Sequence, residues 1–331
     1  MKQFLEDIHP HLSQNGVLGF VNYFDRPDIH WYTRLLLAID KRFIGLLQFA
    51  QDWVNFEAMV EHNSVPEVAR NVYDYLALDL RCSELPREFS QTSQPAILLG
   101  LNHEAVVEPI IVLSLLDRND LKFPGMKLFQ YLGPNVSELI LPLLPGKVAT
   151  DYSGSLKPTL ANKLDPIYRL YCIENKSAEE IFRQNQNSLQ QAADHVSAGG
   201  AVLIFPNGGR SIDSSWYPGI AQIISRLSPD VIASTPIFPI SLTGLARKQV
   251  YWKIHQAAFR QQSESSLSVN VYDPIYLPSW ATALPPDELL NYLRKETDAR
   301  VESSSDLGLT FPPERIRSSP LPDRVPEETI I

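Results

Sequence analysis

After residue 86 the chain alternates between two kinds of apolar segment. Ala96-Ile97-Leu98-Leu99 lies between Pro95 and Gly100, Ala201 to Phe205 follows Gly199-Gly200, and Ile237 to Leu242 runs through a proline-marked stretch. Runs this short and this continuously apolar fit strands buried on both faces. Between them lie helical patterns. Pro109 opens Ile110 to Leu116 at a first-turn position that tolerates proline. Ser177-x-x-Glu180 is a capping box leading into the apolar face of Ile181, Leu189, Ala192, Ala193 and Val196. Another helix is expected around Ile220 to Leu227, a strand around Val269 to Tyr272, and a last helix from Pro286 to Glu302. Strand and helix in alternation predict an α/β fold, a sheet with covering helices.

The segment before this reads differently. Trp31, Leu35, Leu36 and Ile39, then Phe43, Leu46, Leu47 and Phe49, then Val68, Val72, Tyr75, Leu76 and Leu80 recur at helical spacing with no strand-like alternation. The expected organisation is a helical N-terminal domain over 1–87, an α/β domain over 88–302 and a proline-rich tail over 303–331. Residues 122–165 hold prolines and glycines with little periodicity and predict a long irregular insertion, with a short strand at Arg169 to Ile173. Pro239 inside the Ile237 to Leu242 strand predicts an edge or a bulge.

Bulk properties exclude several classes of function. The formal net charge of −9 repels phosphate backbones, so no nucleic-acid partner is expected. Two cysteines, Cys82 and Cys172, make no disulfide framework and fit a reducing compartment. The first ten residues do not form a secretory signal, and no stretch approaches the roughly 20 apolar residues of a membrane span. A soluble or membrane-peripheral protein is expected.

Three constellations could carry chemistry. In Asn102-His103-Glu104-Ala105-Val106-Val107-Glu108-Pro109 a histidine and a carboxylate stand five positions apart. On one continuous helix they would face apart, but on a loop running into a helix they can meet. A carboxylate on one ring nitrogen fixes the tautomer and leaves the other nitrogen as a base. In Phe205-Pro206-Asn207-Gly208-Gly209-Arg210 two glycines after a buried strand let backbone N–H groups approach a ligand, and Arg210 offers a fork suited to phosphate. Trp216-Tyr217-Pro218 follows and could wall a pocket. The third constellation is the strand Pro236 to Gly244. No Gly-x-Ser-x-Gly elbow provides a serine nucleophile. His103, Glu104 and Glu108 do not have His-Glu-x-x-His metal spacing.

In this order the three resemble the motifs of the glycerolipid acyltransferases, the glycerol-3-phosphate and lysophosphatidate acyltransferases. Asn102-His103 to Glu108-Pro109 is similar to that family's Asn-His-x-x-x-x-Asp, with glutamate for aspartate. Pro206-Asn207-Gly208-Gly209-Arg210 and Trp216-Tyr217-Pro218 resemble the soluble plastid-type branch most, and Leu170-Tyr171-Cys172-Ile173 with Lys176 resembles the second motif. The resemblance spans roughly residues 90 to 250. It implies a glycerol-3-phosphate acyltransferase-like mixed sheet. It also implies transfer of a fatty acyl group from acyl-CoA or acyl carrier protein to a hydroxyl of glycerol 3-phosphate or lysophosphatidate, in phospholipid synthesis. His103 and Glu108 would be catalytic. Asn102, Lys176, Gly208, Gly209 and Arg210 would bind substrate. No metal or cofactor is implied, and the compartment would be cytoplasm or plastid stroma. Ser177 and Ile212 stand where the plastid enzymes carry a histidine and a second arginine, so the phosphate site is thinner than theirs. The alternative is a member of the same fold that binds acyl thioester or lipid without catalysis.

Overall fold

The computed structural model describes residues 2–90, 94–103, 107–144, 177–207, 216–244, 247–261, 265–306 and 314–315. The chain opens with helices α1 (Lys2–Phe24), α2 (Trp31–Ile39), α3 (Leu46–Met59) and α4 (Val65–Tyr75), with a π-helical turn at Asp40–Ile44 between α2 and α3. Strands β1 (Leu78–Cys82) and β2 (Ala96–Gly100) precede α5 (Glu108–Leu115). Strand β3 (Leu121–Met126), helix α6 (Pro134–Leu139) and strand β4 (Ile140–Leu143) come next. Then follow α7 (Ala178–Ser197), β5 (Ala201–Ile204), α8 (Gly219–Ile224), α9 (Pro229–Ser234), β6 (Ile237–Thr243), α10 (Arg247–Ala258), β7 (Ser265–Val271), α11 (Pro286–Asp306) and the two-residue β8 (Glu314–Arg315).

The strands form one mixed sheet in the order β4-β3-β5-β2-β6-β7-β1-β8. The first five are mutually parallel, β7 is antiparallel to β6, β1 is parallel to β7, and β8 is antiparallel to β1. The apolar runs are continuous because both faces are covered. Leu98, Leu203, Phe238 and Ile240 pack with Phe56 of α3, Val72 of α4 and Ile111 of α5. On the other face Ile97, Leu99, Val202 and Ile204 pack with Ala192 of α7, Ile220 of α8 and Leu289 of α11. The fold is therefore α/β, with a mixed sheet and covering helices.

Several elements differ from the expectation. Leu78–Cys82 continues a helical pattern in sequence, yet it is a strand in register with β7, Leu80 opposite Leu267. Its spacing from α4 suits a helix, but the burial alternates along it and the unpaired edge of β7 takes it as a strand. Ala77 turns the chain at φ 51° just before it. The N-terminal helices also share a hydrophobic cluster with the sheet. The predicted irregular insertion is regular over 122–143, which holds all of β3 but its first residue, a 3-10 segment at Lys127–Leu132, α6 and β4. Pro124 and Pro142 hid these strands. The first half of β3 pairs β5 and its second half pairs β4, so Pro124 owes β5 no donor, and Pro142 sits on the outermost strand. The remainder of the insertion and the expected strand at Arg169 to Ile173 lie outside the described residues.

Helix α1, which the sequence does not announce, contains Pro10 and is kinked at Gly16, where φ is +58°. A side chain there would also meet the Tyr131 carbonyl at 2.6 Å. Strand β6 is central rather than an edge. The ladder beside Pro239 is irregular instead: Ile240 faces Val271 and Ile237 bridges Ile275, so the partner chain spends one more residue than β6 over that interval. The Ser177–Glu180 capping box forms as expected, and α7 ends before Gly199 at φ +92°.

Candidate active site

Strands β2, β5 and β6 are adjacent and parallel, so their C-terminal ends meet on one side of the sheet. In open α/β sheets this is where loops gather to hold ligands. The chain leaves β2 through Leu101, Asn102 and His103, and re-enters regular structure at Glu108, the first residue of α5, with Pro109 in the first turn. The loop-into-helix geometry brings the two ends of the motif together. His103 Nδ1–H donates to Glu108 Oε2 over 3.0 Å. Glu108 is 2% exposed and His103 20% exposed, so the acid is sequestered while the imidazole reaches solvent.

The His103 ring is held on a face as well as at an edge. It stacks on Phe205, with centroids 4.4 Å apart and planes inclined by 24°. Phe205 is the first residue past β5, and Gly100, the last of β2, makes room for it: a Cβ at Gly100 would lie 2.2 Å from the ring. With Nδ1 committed to Glu108 and one face covered by Phe205, the ring has its Nε2 edge left for a reacting group.

The backbone just before His103 is tied on both sides. Leu101 N–H donates to the Ile240 carbonyl at 2.8 Å. Asn207 Nδ2 donates to the Leu101 carbonyl at 2.7 Å. Asn102 donates from its amide to the Leu242 carbonyl and accepts from Leu242 N–H at 2.9 Å. Tyr217 N–H donates to the Pro206 carbonyl at 2.7 Å, fastening the entry to α8 to the end of β5. Trp216 packs part-buried against the second hydrophobic cluster, and Tyr217 is exposed.

Of the residues expected at the site, the structure brings together His103, Glu108 and Asn102. Lys176, Gly208, Gly209 and Arg210 lie outside the described residues. Phe205, Asn207 and Leu242 join the site without having been marked for it. Phe205 and Asn207 stand just before the two glycines of the second constellation and Leu242 lies in the third, but their partners across the sheet leave no mark in the sequence.

No family model matches the chain, and no curated protein sequence matches it significantly. Among solved structures, the crystal structure of the 1-acyl-sn-glycerophosphate (LPA) acyltransferase PlsC from Thermotoga maritima is similar to this chain. The TM-score is 0.39 and the identity 11%, covering 82% of this chain and 94% of that one.

Proposed function

We propose that this chain is an O-acyltransferase that moves a fatty acyl group from an acyl thioester to a hydroxyl of glycerol 3-phosphate or lysophosphatidate. The observation that carries the reading is the His103–Glu108 pair, a sequestered carboxylate on Nδ1 of a solvent-reaching imidazole at the C-terminal ends of parallel strands. The motif order described above supports the choice of reaction and acceptor.

In this reading Nε2 of His103 takes the proton of the acceptor hydroxyl as its oxygen attacks the thioester carbonyl. The imidazolium that forms is stabilised by Glu108. The tetrahedral intermediate collapses, the C–S bond breaks, and the thiolate of coenzyme A or acyl carrier protein recovers the proton from His103. No covalent enzyme intermediate, metal or cofactor takes part. Arg210 with the N–H groups of Gly208 and Gly209, assisted by Lys176, binds the acceptor phosphate.

The partner surface we assign to a bilayer is α2. Trp31 is 75% exposed, and Leu35 and Ile39 follow it at helical spacing, also exposed. Exposed Arg34, Lys41 and Arg42 flank that stripe, while Asp40 turns its carboxylate onto the N–H groups of Leu46 and Leu47. An aromatic-aliphatic face beside basic residues suits the surface of an anionic membrane. Among the described residues no helix is long and apolar enough to cross one.

The test is purified protein incubated with acyl-CoA or acyl carrier protein thioester, with and without glycerol 3-phosphate or lysophosphatidate, and products resolved by mass. Acceptor-dependent thiol release with an acylated product is expected, falling by about 10² to 10⁴ in His103→Ala. Thioester loss at the same rate without acceptor would make the chain a hydrolase. Binding of thioester without turnover would make it the non-catalytic alternative.

A further inference from the structure

We infer that Asn207, together with Asn102, positions His103 by lacing the C-terminal ends of β5, β2 and β6 to one another, and that neither amide is a substrate contact. The inference rests on His103 being the base proposed above. Asn207 is fully buried, and its Nδ2 reaches back to the carbonyl of Leu101, two residues before His103. Leu101 is itself buried, and its N–H is taken by Ile240 of β6. Asn102, the next residue, gives an N–H and a carbonyl oxygen to the two backbone groups of Leu242. The two residues before His103 are thus gripped from β5 on one side and β6 on the other.

The physical reason is the end of the sheet. Beyond Gly100 and Ile204 the strand ladders stop, and buried backbone groups there need partners from elsewhere. The side-chain amides of Asn207 and Asn102 supply them. Each offers both a donor and an acceptor, which a carboxylate of the same size does not. The same strand end carries Phe205, the ring against His103. Asn207 therefore fixes the spacing between the residue that supports the imidazole and the loop that bears it. A loop released from this lacing would let the ring drift from Glu108 and from Phe205 together.

The test uses Asn207→Asp and Asn102→Asp, which keep size and one acceptor but place a carboxylate oxygen against a carbonyl. Three quantities are read: kcat, KM for each substrate, and the ring-nitrogen NMR signals of His103, assigned by their loss in His103→Gln. Each variant is expected to lower kcat by about 10- to 100-fold with KM changed less than about threefold, the scale of a slightly misplaced catalytic group. The Nδ1–H pattern of His103 is expected to give way to that of an averaged, solvent-like ring, while thermal unfolding stays cooperative. A ring pattern unchanged in both variants would overturn the inference. So would a raised KM with kcat intact, which would make the amides substrate contacts. If Asn207→Asp does not fold, Asn102→Asp, at a half-buried position, decides the matter by the same criteria. If the wild-type protein transfers no acyl group, the proposed function fails and the ring spectrum alone tests the lacing.

Discussion

At the scale of single residues, the acid of the histidine motif is a glutamate, and the loop into α5 brings it within reach of the ring. Glu108 stands at the first position of α5 with its carboxylate 3.0 Å from His103 Nδ1. Glu108→Gln would keep the reach but lose the charge, and an amide N–H facing the ring would favour the wrong tautomer. Turnover should fall about 10²-fold or more with the melting temperature little changed. Unchanged turnover would remove Glu108 from the chemistry. Gly100→Ala tests the other constraint on the ring. Its Cβ would occupy the space of the Phe205 ring edge, so Phe205 must move and His103 loses its stacking face. A loss of kcat at near-constant KM, measured with the same donor and acceptor, is expected; full activity would show that the stacking is dispensable. The dyad was legible in sequence because both partners lie within one short motif. The Asn102–Leu242 and Asn207–Leu101 bonds were not, because they join residues 140 and 106 positions apart.

Elements were legible where their ends were chemically marked. Strands β2 and β5 sit between prolines and glycines, and α7 has its capping box, so each was found nearly to the residue. Where proline falls inside a strand, as at Pro124 and Pro142, the marker misleads, since sheet pairing on one side only makes its missing N–H harmless. The joint between α5, β3 and α7 was equally silent in sequence. Buried Arg118 donates to both carboxylate oxygens of Asp120 and to the carbonyls of Gln94 and Gly199. Burial pushes the Asp120 carboxyl up, but the hydrogen bond and charge of Arg118, with His195 adding to them, hold it below its ordinary 3.8. A carboxyl depressed in the folded state contributes stability that is present above its unfolded value and lost as pH falls through the folded one. Asp120→Asn should therefore cost about 0.5 to 1 kcal/mol at neutral pH, the scale of a solvent-screened pair, and flatten the fall of stability in acid. Melting curves of both proteins from neutral pH down into acid would check this; parallel curves would assign Asp120 no linkage.

For the molecule as a whole, the N-terminal helices meet two demands, closing one face of the sheet and presenting α2 outward. Val72 and Phe56 do the first, Trp31, Leu35 and Ile39 the second. If α2 meets a bilayer, the protein should sediment with vesicles containing phosphatidylglycerol, less so with phosphatidylcholine alone, and less in high salt as the basic residues are screened. Trp31→Ser with Leu35→Ser should abolish sedimentation while leaving the His103 ring signals intact; retention of binding would move the contact elsewhere. The sheet order has a different consequence, one of timing. Strand β1 lies in register with β7, Leu78 opposite Ser265, and its other neighbour in the sheet is the still later β8. On the ribosome, β1 must wait for β7 while the intervening chain is made, roughly 10 to 40 s at ordinary synthesis rates. During that interval β1 lacks both strands that pair with it, and its open edges are exposed to non-native strand pairing.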